Sequence, residues 1–215
     1  MNKLPEKLLA IFWENETMNK LMGFYELREL SIPTIPWEEY KPGVKLSDDF
    51  LWTVRSAVNC GNDLNLPRLV GKNADEAMKF ADDLYNKISN NGIVVYYPYF
   101  IAHKSGTLNV FYDKTVIEAV ENDLWNLVTN QNLDVSLTFN KENNIISSYG
   151  KKDFFSDREL EKLMLYSRKI SGIYRNEMID GNTILLEWSF ASSCNKNKQP
   201  VGEPYLVFYE VRTTK

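Results

Sequence analysis

The chain has 215 residues, of which 44% are hydrophobic and 13% aromatic, so it can bury one globular core or two small lobes and is not intrinsically disordered. It carries 25 lysines and arginines against 29 aspartates and glutamates, which gives a net charge of −4 without any long basic stripe. Because polyanions bind basic faces, this balance argues against a general role in nucleic-acid binding.

The sequence has no pattern typical of membrane insertion or of a disulfide framework. The apolar stretch at residues 8–13 is followed at once by Glu14, and no apolar run approaches the roughly 20 residues that span a bilayer. Cys60 and Cys194 lie in polar surroundings without a CxxC partner, which favours reduced thiols. We therefore expect a soluble, cytoplasmic protein with no signal peptide and no membrane partner.

Helical spacing dominates the N-terminal segment, where apolar residues recur at steps of three and four over residues 5–30. The polar residues 15–17 divide this segment into two helices. Pro33 and Pro36 end the second one, because proline cannot continue a helix. A short strand is predicted at residues 51–55.

A further helix is predicted after an irregular stretch at residues 59–72. Asn73, with Glu76 three positions later, is typical of a capping box and is followed by an apolar face at helical spacing. Residues 90–92, Asn-Asn-Gly, are a typical helix stop.

Four β-rich segments follow this helix. The first three are expected to pair as neighbouring antiparallel strands, and the fourth precedes a polar stretch. The strands are predicted at residues 93–102, 107–112, 115–120 and 133–139, with turns at 105–106 and 113–114 and the polar stretch at 140–144.

The C-terminal third combines a helix with a hairpin. Ser156 and Glu159 are typical of a capping box before an apolar helical face. The hairpin strands are predicted at residues 183–190 and 205–212, joined by the polar loop 192–203. The order helix, strand, helix, meander, helix, hairpin predicts an α+β fold with a mostly antiparallel sheet, as a single unit over residues 1–215.

Charged residues inside apolar strands are candidates for function, since such a charge is costly unless it meets solvent, a partner or a ligand. These residues are Arg55, Glu187, Glu210 and Arg212. Period two puts Glu210 and Arg212 on one face of their strand. Two interpretations stay open: the carboxylates hold Mg²⁺ while a guanidinium binds phosphate, or the charges form a cross-strand salt bridge.

No short motif decides the function, because the sequence contains no P-loop, GxGxxG turn, zinc signature or nucleophile elbow. His103, the single histidine, has no acidic or thiol partner close in sequence, which favours a surface or turn role. Lys20 on the polar face of a predicted helix is, by itself, an ordinary solvated charge.

Several short pieces of sequence occur in a fixed order from residue 19 almost to the C-terminus. They are Asn-Lys-Leu-Met at 19–22, Leu-Ser-Ile-Pro-Thr-Ile-Pro at 30–36, Trp-Thr-Val-Arg-Ser-Ala at 52–57, Asn-Asp at 62–63, Val-Gly at 70–71, the apolar run 93–99 with Ser-Gly at 105–106, Val-Ile-Glu at 116–118, Leu-Leu-Glu-Trp at 185–188 and Tyr-Glu-Val-Arg at 209–212. In this order they resemble the nucleotide-binding region of the pyruvate phosphate dikinase and phosphoenolpyruvate synthase family, which has an ATP-grasp fold.

The resemblance implies an α+β, ATP-grasp-like protein with two lobes, approximately 1–100 and 101–215, whose mostly antiparallel sheets surround a nucleotide cleft. It implies ATP and Mg²⁺ as cofactors. The implied site residues are Lys20, Arg55 and Arg212 for the triphosphate and catalysis, Val95, Tyr97, Tyr99 and Glu118 for the nucleotide, with 95–99 lining the adenine, and Glu187 and Glu210 for Mg²⁺. Phosphoryl transfer depends on positioned cations more than on a covalent nucleophile, and arginine's planar fork matches phosphate.

The function implied is that of a phosphotransferase that passes phosphate from Mg-ATP to an unknown acceptor, on a substrate or on a separate partner protein or domain. Residues 16–19 lack the family's glycines and Leu185 replaces an aspartate, which supports an alternative, a non-catalytic nucleotide sensor or scaffold. Glu210 replaces a glutamine, so it either supplies a shifted metal ligand or neutralises Arg212. A third possibility is an interaction protein whose sheet charges form only salt bridges.

Overall fold

Four helices and ten strands are present in the computed structural model of the chain, which describes residues 18–59, 66–124 and 133–214. The helices are α1 (Lys20–Glu29), α2 (Ala74–Ile88), α3 (Asp157–Ile173) and α4 (Arg175–Ile179). The strands are β1 (Glu38–Glu39), β2 (Trp52–Val58), β3 (Leu69–Lys72), β4 (Gly92–Pro98), β5 (Phe100–Val110), β6 (Lys114–Glu121), β7 (Val135–Asn140), β8 (Ile145–Gly150), β9 (Thr183–Cys194) and β10 (Pro200–Thr214).

The strands form two sheets. The first has four strands in the order β1-β4-β2-β3, and the second has six in the order β10-β9-β5-β6-β7-β8. Both sheets are antiparallel, and helices accompany them, so the predicted α+β class is confirmed.

The chain divides into two compact units. The first consists of the described parts of Met1–Tyr25, Ile35–Ile101 and Ser192–Tyr205. The second consists of the described parts of Glu26–Thr34, Ala102–Ala191 and Leu206–Lys215. No helix in the described part of the chain is long and apolar enough to cross a bilayer.

In the first unit, α2 covers one face of the four-stranded sheet. Val54 of β2 and Val94 and Tyr96 of β4 form a buried cluster with Ala81 and Leu84 of the helix. Because neighbours along a strand point to opposite faces, the residues adjacent to these in β2 and β4 lie on the face away from α2. That second face carries several of the predicted site residues.

In the second unit, an apolar face of the six-stranded sheet is buried together with α3. Leu108 of β5 and Ile117 of β6 are paired directly, and both are fully buried, as is Leu163 of α3. The hydroxyl groups of Thr115 and Ser167 lie 2.7 Å apart and join β6 to α3. The opposite face of this sheet is therefore the one that remains for function.

The predicted helix starts agree with the structure. The Asn73 side chain caps α2, and Ser156 forms a capping box with Glu159 at the start of α3. Within the described residues, α1 confirms part of the predicted helical segment 5–30. The first helix of that segment and its break at residues 15–17 lie outside the described residues.

Two predicted boundaries near the first sheet are wrong. Leu69–Lys72, in the predicted irregular stretch, forms β3, because it pairs with β2 and not because of any local pattern. The predicted strand 93–102 is divided between β4 and β5, which belong to different sheets. β4 ends at Pro98, and the N–H of Tyr99 donates to the carbonyl of Leu51, the residue before β2.

The predicted turn at residues 105–106 is also wrong, because both residues lie inside β5. A side chain at Gly106 would meet the carbonyl oxygen of Glu118 at 2.1 Å and the ring of Trp188 at 2.6 Å. Glycine is therefore required here for close packing inside the sheet and not for a turn.

The C-terminal hairpin is longer than predicted. β9 and β10 extend into the predicted loop 192–203, and the remaining turn is closed by the Asn195 N–H, which donates to the carbonyl of Gln199 at 3.0 Å. Three elements, β1, β8 and α4, have no counterpart among the predictions. Each is six residues long or shorter, and every residue of β1 and β8 is exposed, so no apolar periodicity marks these strands.

The cysteines and the single histidine have reactive side chains, and the structure describes Cys194 and His103. Cys194 is free and half-buried, and burial raises the pKa of its thiol against the opposing charge of Lys198. Cys60, with the rest of residues 60–65, lies outside the described residues. His103 is exposed on β5 rather than in a turn.

Candidate functional site

Arg55 lies on the face of the first sheet away from α2. In the antiparallel pair of β2 and β4, Arg55 is opposite Val95 and Thr53 is opposite Tyr97. Directly opposite residues share a face, and so do residues two apart on one strand. The structure therefore brings together three of the predicted nucleotide-binding residues. Arg55 is only 8% exposed, so its charge is largely removed from water.

Lys20 belongs to the same region of this unit. Its helix α1 places Phe24 one turn later on the same side, because residues four apart on a helix are neighbours. The guanidinium carbon of Arg55 lies 5.7 Å from the centre of the Phe24 ring, a cation–π contact. Lys20 is half-buried at the first position of the helix. Lys20 and the aromatic partner of Arg55 thus lie on the same side of α1.

The N-terminus of α1 is electropositive. The first turn contains no acidic residue, and Lys20 adds its own charge to the positive end of the helix dipole. The cap is Asn19, whose Oδ1 accepts from the Met22 N–H at 3.0 Å. Its Nδ2 donates to the carbonyl of Asn59 at 3.2 Å, which ties this end of the helix to the residue that follows β2.

The three residues predicted to line the adenine separate into two groups. Val95 and Tyr97 share one face of β4, and the Tyr97 ring stacks on Phe100 with ring centres 6.4 Å apart. Tyr99 lies outside β4, where its ring is 3.3 Å from the position a side chain of Gly71 would occupy. An apolar wall suited to a flat ring is therefore formed by Val95 and Tyr97.

Sequence reasoning missed Glu39, which lies on the Arg55 face of the first sheet. It is opposite Val95 in the pair of β1 and β4, so Glu39, Val95 and Arg55 form one row across three strands. Its side chain is exposed at the edge of the sheet. A two-residue strand carries no periodic signal, so only the strand pairing could have identified this residue.

In the second unit, Glu118 and Glu187 occupy the sheet face opposite α3. Glu118 of β6 is directly opposite Thr107 of β5. The hydroxyl groups of Ser105 and Ser189 lie 2.8 Å apart, which fixes how β5 and β9 are aligned. Two residues further along these antiparallel strands, Thr107 and Glu187 are neighbours on the same face.

This alignment sets two carboxylates on either side of one hydroxyl. Glu118 and Glu187 are half-buried, and Thr107 between them is buried. Their backbones are two strand spacings apart, about 10 Å, which two glutamate side chains can close around a single ion. Oxygen donors of this kind suit Mg²⁺ or Ca²⁺. Among the described residues, no group of three or more His, Cys, Asp or Glu side chains is arranged to hold a metal.

Glu210 and Arg212 lie on β10, the strand beside β9. Glu210 is 4% exposed, and its Oε1 lies 3.9 Å from Nε of Arg212. This distance is at the limit of an ion pair. The Nε of Arg212 is buried and has no hydrogen-bond partner among the described residues. The two charges therefore neutralise each other in part, while one donor of Arg212 keeps its capacity for an anion.

A separate cavity of about 560 Å³ lies in the second unit, and none of the predicted site residues lines it. His103, Lys104 and Lys151 are among its lining residues. Lys104 is paired with Glu159 at 2.7 Å, and Lys151 bridges Glu121 and Asp134 at 2.9 Å each. The main cations of this cavity are thus already neutralised.

No protein-family profile matches the sequence, and a comparison with curated proteins finds no significant match. Among solved structures, the chain is similar to the dinucleotide-forming acetyl-coenzyme A synthetase 1 of Ca. Korarchaeum cryptofilum, in complex with coenzyme A, Ca-AMPCP and HgCl+. The TM-score is 0.55 at 8% identity, and the alignment covers 97% of both chains.

Two further structures are similar at TM-scores below 0.5. The N5-carboxyaminoimidazole synthetase of Staphylococcus aureus complexed with ADP has a TM-score of 0.46 and 14% identity over 90% of this chain and 44% of its own. The D-alanine–D-alanine ligase of Bacillus anthracis complexed with ATP has a TM-score of 0.43 and 14% identity over 90% and 54%. This chain thus spans about half the length of these two proteins.

The fold comparison rests on the acetyl-coenzyme A synthetase, which matches over nearly the full length of both chains. At 8% identity this likeness concerns the fold and not the activity. The relation to pyruvate phosphate dikinase stays a prediction. The fold of this chain is α+β and ATP-grasp-like, with two antiparallel sheets.

Proposed function

We propose that this chain binds Mg-ATP and transfers a phosphoryl group to an acceptor on a substrate or partner protein, as a relative of the nucleotide-binding domain of pyruvate phosphate dikinase. The observation that carries this conclusion is the position of Arg55, a buried guanidinium beside the apolar residues Val95 and Tyr97. A guanidinium presents a planar set of donors that fits phosphate better than an ammonium does, and its charge attracts an anion more strongly where water is largely excluded.

The first unit supplies the groups that a nucleotide needs at both of its ends. Lys20 and Arg55 bind phosphate oxygens, supported by the electropositive start of α1. Val95 and Tyr97 give the adenine an apolar surface, and Tyr99 contributes from outside the strand. These roles follow from side-chain chemistry: planar rings pack on apolar walls, and phosphate oxygens accept from positioned donors.

The predicted metal ligands and the third predicted phosphate-binding cation lie in the second unit. Glu187 is the first ligand for Mg²⁺, and Glu118 across Thr107 is better placed than Glu210 to share the ion, because Glu210 is already within ion-pairing distance of Arg212. The buried Nε of Arg212 fits an anionic oxygen. Bound Mg-ATP supplies the transferable phosphoryl group, and the divalent ion neutralises charge on the phosphates.

Calorimetric titration with Mg-ATP tests this function. Wild type is expected to bind, and Arg55→Ala and Arg212→Ala are each expected to abolish binding. Lys72→Ala is a suitable control, since Lys72 is exposed and pairs with Glu76 in the first turn of α2. Binding by both arginine variants at wild-type affinity would show that the site assignment is wrong.

A melting screen gives a second, cheaper measurement. A ligand that binds the native state adds about 2.7 kcal/mol to the free energy of unfolding at a hundredfold excess over Kd. ATP, ADP and GTP with and without magnesium are therefore compared. Stabilisation by none of them would favour the third interpretation, an interaction protein whose charges form salt bridges, of which the pair Glu210–Arg212 is an example.

A non-catalytic nucleotide sensor is the second candidate function. Leu185 lies two residues before Glu187 on β9, so both side chains are on one face, and an apolar group stands where the family resemblance has a carboxylate. Incubation with γ-labelled ATP separates the two functions. Release or transfer of label above that of Arg55→Ala supports the phosphotransferase, whereas tight binding without turnover supports the sensor.

A further inference from the structure

The Asn19 side chain uses both ends of its amide. The oxygen accepts from the backbone N–H of Met22 at 3.0 Å, which caps α1, and the nitrogen donates to the backbone carbonyl of Asn59 at 3.2 Å. Asn59 directly follows β2. One side chain therefore fixes the first turn of the helix to the end of the strand.

These two elements carry the two cations of the first unit that are predicted to bind phosphate. Lys20 is the residue after Asn19, and Arg55 lies on β2 four residues before Asn59. Phe24, one turn after Lys20, contacts the Arg55 guanidinium from the same helix. A shift of the helix start relative to the strand would therefore change the spacing between the Lys20 ammonium and the Arg55 guanidinium.

We propose that Asn19 is a positioning residue that sets the spacing of Lys20 and Arg55 for the phosphates of a bound nucleotide; this role rests on the proposed function. Capping alone does not require asparagine, because serine caps a helix about as well. Serine is shorter, so a hydroxyl group placed to accept from Met22 does not extend to the Asn59 carbonyl. The second bond is what distinguishes asparagine at this position.

The chain contains a matched control at α2. Asn73 caps that helix in the same way, with its Oδ1 accepting from the Glu76 N–H at 2.9 Å. α2 packs on the opposite face of the sheet from Arg55. Removal of either cap costs helix stability to a similar degree, but only Asn19 is linked to the strand that carries Arg55.

The experiment compares Asn19→Ser, Asn19→Ala and Asn73→Ala with wild type by calorimetry with Mg-ATP and with adenosine, after melting curves confirm folding. Asn19→Ser is expected to melt near the temperature of wild type. Its Kd for Mg-ATP is expected to rise about tenfold, because one positioning hydrogen bond is lost. Adenosine affinity is expected to stay unchanged, since adenosine carries no phosphate. Asn73→Ala is expected to lower the melting temperature without changing either Kd.

The possible outcomes distinguish failure of the positioning role of Asn19 from failure of the proposed nucleotide binding. If wild type binds Mg-ATP and Asn19→Ser binds it equally well, the bond to Asn59 has no positioning role. If Asn19→Ser weakens the binding of adenosine as much as that of Mg-ATP, the effect is a general loss of structure, and the positioning role is again overturned. If wild type binds no nucleotide at all, the proposed function fails, and the positioning role fails with it.

Discussion

Arg55 of β2 lies directly opposite Val95 of β4, so that a buried guanidinium and an apolar wall share one face of a sheet whose other face packs on α2. The register between these strands is what makes the two residues neighbours. A slip of one residue in β2 would turn Arg55 into the apolar cluster under α2, at the cost of a buried charge. The core of the first unit thus enforces the geometry of its candidate site.

Replacement of Arg55 by lysine tests whether the planar guanidinium, and not only its charge, is used. Lysine is a point charge without the two-pronged donor set that matches phosphate, and it stacks less well on the Phe24 ring. We expect Arg55→Lys to fold and to raise the Kd for Mg-ATP by about tenfold or more in calorimetry. The control is Arg68→Lys at an exposed position just before β3, which is expected to bind like wild type. Wild-type affinity in Arg55→Lys would mean that charge alone suffices.

The carboxylates of Glu118 and Glu187 are expected to determine how much magnesium the protein needs. Glutamine has nearly the same shape but is a poor ligand for a hard cation, so Glu118→Gln and Glu187→Gln should each shift the Mg²⁺ dependence of ATP-induced stabilisation to higher concentration. Melting curves at fixed ATP over a magnesium series measure this. With the metal chelated, both variants should match wild type.

Glu142→Gln provides the reference for this series. Glu142 is exposed between β7 and β8, on no strand of the candidate site, so its magnesium curve should coincide with that of wild type. A Glu118→Gln curve that also coincides with wild type would remove Glu118 from the metal site and restore Glu210 as the second ligand.

The helices that frame the fold were predictable because their signals are local. Asn73 and Ser156 are each followed three residues later by glutamate, and both caps form as that spacing predicts. Period two likewise predicted that Glu210 and Arg212 share a face, and their side chains lie 3.9 Å apart. These relationships involve only a few consecutive residues.

The neighbours across strands were not predictable, since they depend on pairing between distant segments. Nothing near Thr107 in sequence indicates that Glu118 and Glu187 flank it; that follows from the alignment of β5 with β6 and β9. Tyr99 shows the converse. The family resemblance placed it with Val95 and Tyr97 at the adenine, but it lies between β4 and β5, which belong to different sheets.

Two glycine substitutions should change stability in opposite directions. A methyl group at Gly106 would lie 2.1 Å from the Glu118 carbonyl oxygen and 2.6 Å from the Trp188 ring, so Gly106→Ala should cost about 3 kcal/mol or more. Gly172 lies in α3 with no atom within 4 Å of the added group, and Gly172→Ala should add about 0.5–1 kcal/mol. Denaturant unfolding followed by circular dichroism measures both changes. Equal stability of the two variants would contradict the close packing of β5 against β9.

Alkaline pH should destabilise the protein through two buried tyrosines. Burial, with a hydrogen bond donated to the Glu38 carboxylate, raises the pKa of Tyr96 to about 12, and burial with Asp82 does the same for Tyr40. Because the unfolded chain loses these protons near pH 10 and the native chain keeps them to about pH 12, the free energy of unfolding should fall as pH rises through this window.

The Tyr96→Phe variant isolates one of these two groups. Phenylalanine keeps the ring packed against Trp52 but has no proton to lose. The free energy of unfolding should therefore fall less steeply between pH 10 and pH 12 than in wild type, by a slope that corresponds to at most one proton. Urea unfolding at a series of pH values gives this slope. Tyr149→Phe is the control, because that side chain is 69% exposed on β8 and its removal should leave the slope unchanged. If Tyr96→Phe and wild type decline in parallel, the native hydroxyl group of Tyr96 ionises as readily as in the unfolded chain, and its bond to Glu38 does not hold the proton.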